Sequence, residues 1–281
     1  MHRLLTIGSM AAVSLVVFAA RPAQAAAFFF STGNPDGLIG TLSRPAGPGL
    51  NETETADDFI TTQTLTTITS ATFIGLLPRG ASLSTVANVG IELYRVFPND
   101  SVNPPSGNVA SRVNSPSDNA FASFDSIAGS ITVTASILNP AFSVANSVVN
   151  GIFVKPNQFT GGEGATSGEE VLFSVTFNTP LNLTADHYFF RPEVQLTAGN
   201  FLWLSAPKPI VAPGTPFTPD LQSWIRSSTI APDWERIGTD VTGQGPFNAA
   251  FSLTGTATPE PSTMLLLTTG LLGLAAWRRK R

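Results

Sequence analysis

Val171-Leu172-Phe173-Ser174-Val175-Thr176-Phe177-Asn178 alternates apolar and polar side chains with a period of two. Ser130-Ile131-Thr132-Val133-Thr134-Ala135-Ser136-Ile137 does the same, and so does Phe247-Asn248-Ala249-Ala250-Phe251-Ser252-Leu253-Thr254. Successive side chains of a strand point to opposite faces, so this pattern predicts one face on a core and one in water. The outward positions are mostly Thr, Ser and Asn, which suit a solvated pleated face. Working outward, further strands are expected at 58–62, 69–77, 89–97, 121–125, 187–196 and 200–205. No stretch of residues 26–258 carries a helical period, and Gly and Pro interrupt it too often for long helices. Many strands without helices predict an all-β fold, an antiparallel two-layer β-sandwich. Roughly 230 residues exceed an immunoglobulin-like unit of about 100, so a jelly-roll-like version is expected. Two smaller sandwiches meeting near 156–168 are the alternative.

The ends have a different character. Met1-His2-Arg3 is short and basic, residues 4–20 are apolar, and Arg21-Pro22-Ala23-Gln24-Ala25 ends in small residues spaced A-x-A. That is the layout of a signal peptide, a helix removed by signal peptidase after the secretion translocon, with cleavage after Ala25 and Ala27 as the alternative. At the other end Pro259-Glu260-Pro261 precedes an apolar run, 262–277, and then Arg278-Arg279-Lys280-Arg281. From Met264 to Trp277 a helix would reach roughly 21 Å, at about 1.5 Å per residue. The hydrocarbon layer is roughly 30 Å thick. The run nevertheless lacks a polar stripe, carries Trp277 at its edge and is followed at once by four basic groups. Such a cluster holds its end of a membrane segment on the cytoplasmic side.

This tripartite tail resembles the PEP-CTERM sorting signal of Gram-negative bacteria, over Pro259 to Arg281. The resemblance implies that exosortase, a membrane enzyme, recognises the tail and releases the body after a transient stay at the inner membrane. The expected organisation is therefore signal peptide 1–25, β-sandwich body 26–258 and sorting signal 259–281. Ala56-Asp57-Asp58-Phe59, 220–226 and 233–240 also look like parts of exported bacterial β-domains, a resemblance that supports the fold and carries no activity.

Composition narrows the functional classes. Of 15 Lys and Arg, six lie in the tails, and of 19 Asp and Glu, one does, which leaves the body nine basic against eighteen acidic groups, a net of −9. A body that acidic excludes nucleic acid as a partner. There is no Cys, so disulfides and thiolate chemistry are absent. His187 is the one histidine of the body, and no Gly-rich phosphate loop, H-E-x-x-H or G-x-S-x-G occurs.

Several side chains are candidates for chemistry. Asp57 and Asp58 are adjacent on a strand and point to opposite faces. Strand-end hydrogen bonding is their expected role, with a structural Ca²⁺ site shared with Asp100 as the alternative; calcium gathers six to eight oxygens from several loops. Asp118, Asp125, Asn99 and Asn119 offer further oxygens. Asp233 and Glu235 flank Trp234, the arrangement a glycoside hydrolase or lyase could use, with Asp57 as a further acid. The plainer reading packs Trp234 inward and pairs Arg236 with an acid. Trp203 sits in an apolar run and is expected in the core, whereas Trp224 and Trp234 are candidates for exposure, where indoles stack on sugar rings. His187 is expected as a hydrogen-bonded edge histidine. Three long loops, 98–119, 155–170 and 205–220, are where binding sites would lie. Together these readings predict an exported, non-enzymatic protein of the cell surface or extracellular matrix that binds polysaccharide; the alternative is the secreted carbohydrate-active enzyme.

Overall fold

The computed structural model describes residues 25–102, 107–153, 158–258 and Gly270. The expected leader helix, the apolar run 262–277, Pro259, Glu260, Pro261 and the basic Arg278, Arg279, Lys280 and Arg281 lie outside the described residues. Among the described residues no helix is long and apolar enough to cross a membrane. The described residues of 25–258 form one compact unit.

Among its described residues there are fifteen strands. In chain order they are β1 (Ala26–Ser31), β2 (Ile39–Leu42), β3 (Thr53–Thr61), β4 (Leu65–Pro78) and β5 (Val86–Arg95). Then come β6 (Ala122–Asp125), β7 (Ile131–Val144), β8 (Asn146–Val148), β9 (Thr166–Leu183) and β10 (Asp186–Leu196). The last are β11 (Leu202–Ala206), β12 (Trp224–Ser227), β13 (Glu235–Arg236), β14 (Asn248–Ala249) and β15 (Phe251–Thr258). Among the described residues of 25–258, helical residues are a 3₁₀ turn, Leu83–Thr85, and a π turn, Ile237–Val241, as the lack of a helical period predicts.

The strands form two sheets. One centres on β4, which pairs with β15 and β9; β1 lies outside β15, β7 outside β9, and β11, β2, β8 and β14 extend the sheet past the end of β15. The other has the order β13-β12-β3-β10-β5-β6. Both sheets draw strands from either side of 156–168, so the body is not divided there. One pairing departs from the expected antiparallel pattern: β2 and β8 are parallel, Ile39 opposite Asn146. Only Ala145 separates β8 from β7, so β8 keeps the heading of β7 and meets β2 running the same way.

The core lies between the sheets. On β9, Val171, Phe173, Val175 and Phe177 are buried while Thr176 and Asn178 are exposed, as the alternation requires. Phe73 and Phe173, directly opposite on β4 and β9, stack at 4.8 Å. Phe190 of one sheet stacks on Phe251 of the other at 5.0 Å. Each such buried phenyl contributes roughly 1.5–3 kcal/mol. A Cβ on Gly75 would stand 2.2 Å from the Phe201 ring, so only glycine lets that ring reach Phe73. On β7 the alternation fails past Ala135: the register shifts between Ile137 and Asn139 and again before Phe142, and Ile137 turns to solvent. Such shifts bend a strand that has no neighbour on its far side.

Candidate functional site

Asp58, His187, Trp224 and Trp234 lie on the face of the six-stranded sheet turned away from the main core; Asp57, Glu235, Asp100 and Trp203 do not. Phe59 of β3 and Phe190 of β10 point into that core, so their alternates, Glu54, Ala56 and Asp58 on β3 and His187, Phe189, Arg191 and Glu193 on β10, share the opposite face. This face is not solvated. Ala56, Tyr94, Phe189, Trp224 and Trp234 form a second apolar cluster on it. The exposure expected of Trp224 and Trp234 is therefore corrected: both are fully buried. Trp234 donates its Nε1–H to the Ser117 carbonyl at 3.1 Å, meets Tyr94 edge-on at 5.4 Å and carries the Arg226 guanidinium 4.4 Å above its ring. Burying a whole indole outweighs the polarity of its sequence neighbours, because those neighbours are neutralised in turn. Trp203 is buried as expected, donating to the Ala250 carbonyl.

The acids flanking Trp234 are interior groups. Asp233 is fully buried and pairs with Arg112 Nη1 at 2.8 Å; Arg112 also holds Asp118 at 2.8 Å and lies over the Phe97 ring. Glu235 is fully buried, and Arg236 pairs with Asp240 at 2.7 Å. This is the plainer arrangement of the two the sequence allowed.

Asp57 and Asp58 act where strand β3 is flanked by the segment leading into β12. Asp57 accepts from Ser223 Oγ at 3.1 Å and from the Ala249 amide at 2.8 Å. Asp58 accepts from the Leu221 amide at 3.0 Å and lies 2.6 Å from His187 Nε2. Both are fully buried. Burial, and for Asp57 the neighbouring Asp58, pushes both carboxyls above the usual carboxylate range; the hydrogen bond and charge of His187 offset part of the rise at Asp58. Asp100 is half-exposed and pairs instead with Arg95 at 3.5 Å. Among the described residues no group of three or more His, Cys, Asp or Glu is placed to hold a metal ion. His187 stands at the start of β10, opposite Ile60 of β3 on one side, while the pairing with β5 begins only at Tyr188.

Sequence reasoning passed over the group around Arg191. Its guanidinium is fully buried among four carboxylates: Glu52 at 2.9 Å, Glu193 at 2.8 Å, Glu54 at 3.5 Å and Glu92 at 3.6 Å. Arg226 pairs with Glu54, whose Oε1 also accepts from the Tyr94 hydroxyl at 2.7 Å. Burial raises Glu54, but Arg191 and Arg226 outweigh it and hold its carboxyl below the usual range. For Glu193 burial prevails and lifts it to about 6, because Arg191 is shared and Glu92, Glu52 and Glu54 crowd it. Part of the signal was in the sequence, since Arg191 and Glu193 are two apart on an expected strand and share a face; that Glu92 lies directly opposite Arg191 is set by the register.

An open cleft of about 420 Å³ lies at the border of β3 and β12. Arg44, Leu50 and Asn51 line one part, Asn150 and Phe153 another, and Ser227 and Thr229 a third. Arg44 is the only charged group among these lining residues; it donates to the Asn51 carbonyl and to the Asn200 side chain, which fixes its direction. Leu50 and Phe153 are both about half exposed, so apolar surface stands beside hydrogen-bonding side chains.

The PEP-CTERM protein-sorting motif matches residues 257–280. The tail is thus the sorting signal of an exosortase substrate, and the protein that carries it is exported. No curated protein matches the chain.

Proposed function

We propose that the exported body is a non-enzymatic polysaccharide-binding protein of the cell surface or extracellular matrix, and that the cleft at Arg44, Asn150 and Phe153 takes the sugar. One observation carries this reading: the cleft sets an exposed phenyl ring beside an arginine and several amide and hydroxyl side chains. Sugar rings present apolar C–H faces and a hydroxyl rim, and such a mixed wall matches both. The body is further read as a jelly roll. Its central strands run β1-β15-β4-β9 in one sheet and β3-β10-β5-β6 in the other, with the chain crossing between sheets in the manner of two Greek keys. Asp233 and Glu235, the acids a glycosidase would need, are buried, and Asp233 is held by Arg112. That supports binding without catalysis. Signal peptidase, the translocon, exosortase and a transient hold at the inner membrane by Arg278–Arg281 would complete the route.

The test is a glycan-binding screen of the released protein beside its Phe153→Ala and Asn150→Ala variants. Binding lost in both variants, with unfolding midpoints unchanged, is expected. No glycan bound by the wild type, or binding indifferent to both changes, would overturn the assignment of the cleft.

A further inference from the structure

The chain has no cysteine, yet one pair of side chains is placed for a different covalent staple. Asn248, on β14, lies directly opposite Ala206, the last residue of β11, and Lys208 follows two positions later. Asn248 is almost fully buried. Its Nδ2 donates to the Pro207 carbonyl at 3.3 Å and to Asp220 Oδ2 at 3.2 Å. Two acceptors at the nitrogen fix the amide's orientation, so Oδ1 faces Lys208 Nζ, at 3.5 Å. Nζ itself rests 2.7 Å from Asp220 Oδ1 and donates to the Asp220 carbonyl at 2.8 Å. One carboxylate therefore touches both the amine and the amide nitrogen. Behind it, Asp57 accepts the Ala249 amide and holds β14 in place.

We propose that Lys208 and Asn248 condense into an intramolecular amide bond, with Asp220 as the proton carrier. Asp220 takes a proton from the Lys208 ammonium, and the freed Nζ lone pair attacks Asn248 Cγ. The Nζ–Cγ bond forms, the Cγ–Nδ2 bond breaks, and the carbonyl is restored. Of the three ammonium protons one stays on the new amide nitrogen. The other two are passed across by the Asp220 carboxylate and depart with the Nδ2 hydrogens as ammonium, leaving the carboxylate as it began. No oxidant or cofactor is consumed. Holding amine and amide side by side replaces an encounter in solution, which is where most of the acceleration of such a reaction comes from. A pocket of about 600 Å³ lined by Lys208, Phe217 and Asp220 gives the ammonium a way out. The product would fasten the proline-rich segment 207–223 to β14. An exported protein without disulfides has use for such a tie.

Intact mass of the folded wild-type chain, measured after denaturation, tests this without any variant. A deficit of one ammonia is expected, with a proteolytic fragment in which the Lys208 peptide is joined to the Asn248 peptide. Asn248→Asp should lose one water instead and arrive at the same final mass, and Lys208→Arg should show its full sequence mass. A wild-type mass equal to the sequence would overturn the proposal. So would a wild-type deficit of one water mapping to Lys208 and Asp220, because Asp220 would then be the acyl partner.

Discussion

Glu193 should make this fold more stable in mild acid than at neutrality, the reverse of ordinary acid denaturation. Its carboxylate lies 2.8 Å from Arg191, which alone would favour ionisation. But two guanidiniums, Arg191 and Arg226, face four carboxylates, Glu52, Glu54, Glu92 and Glu193, so the group is short of positive charge. Burial then decides, and the folded value stands at about 6 against 4.5 for the free side chain. A raised carboxyl binds its proton more tightly in the folded chain, so the stability it contributes is fully present below 4.5 and is lost as pH rises through 6. At about 1.4 kcal/mol per pKa unit this amounts to roughly 2 kcal/mol. Urea unfolding of the wild type at constant ionic strength should show stability rising as pH falls from 7 to about 4.5. Glu193→Gln keeps the shape and removes the proton site, so the difference between the two chains isolates Glu193 from Asp57 and Asp58, whose raised carboxyls push the same way. The variant should match or exceed the wild type at pH 7 and draw level with or fall below it near pH 4.5. A variant that is weaker at pH 7, by an amount that does not change across the window, would show that the ion pair governs and that this reasoning is wrong.

Two further outcomes are expected. Arg112→Met removes the cation between Asp118 and Asp233 and should cost roughly 3–5 kcal/mol by urea titration, since both acids stay buried without it; adding Asp233→Asn should recover part of the loss, and a neutral Arg112→Met would refute the pairing as a stabiliser. Replacing Arg278–Arg281 with neutral residues should impair retention and processing, read as uncleaved chain by intact mass and fractionation; unchanged processing would count against their role in orienting the tail.

The strands that were legible in the sequence are those whose two faces differ. β9 and β15 alternate because one side meets the core and the other meets water, and both were located, though β9 runs five residues further at each end than expected and β15 lies four residues later. β12 and β13 were not found. Both faces of Trp224–Ser227 are covered, one by the sandwich and one by the second cluster, so the period of two is erased. The same covering hid the nature of the candidate site. Gln222, Arg226, Asp233 and Glu235 make their tryptophans look solvated, because sequence neighbours cannot reveal that Arg226 will be spent on Glu54 or Asp233 on Arg112. The cleft was illegible for another reason: Arg44, Asn150 and Ser227 come from three distant segments that only the sheet borders bring together. Asp57 and Asp58 were expected at the start of a strand, but β3 begins at Thr53 and carries them at its middle, because the polar run ahead of them is covered on both faces and shows no alternation.

The junction between body and tail has a physical logic of its own. The matched sorting motif begins at Ala257, yet Ala257 and Thr258 are still strand residues of β15. Ala257 is bracketed by Ala26 of β1 on one side and Thr66 of β4 on the other. Pro259 comes next, and a proline has no N–H to continue a ladder. β15 is described as far as Thr258, the residue before the Pro-Glu-Pro sequence. Cleavage after Ala25 would free Ala26, the residue paired with Ala257. The expected leader cut and the start of the Pro-Glu-Pro sequence thus fall at the same end of one antiparallel strand pair, one just before it and one just after. A cut at either point removes no hydrogen-bonded partner of β15, whose Phe251 and Leu253 are core residues. A cut two residues earlier would strip Ala257 and Thr258 from both neighbouring strands, so the position of the prolines marks the last point at which the tail can be shed without unpicking the sandwich.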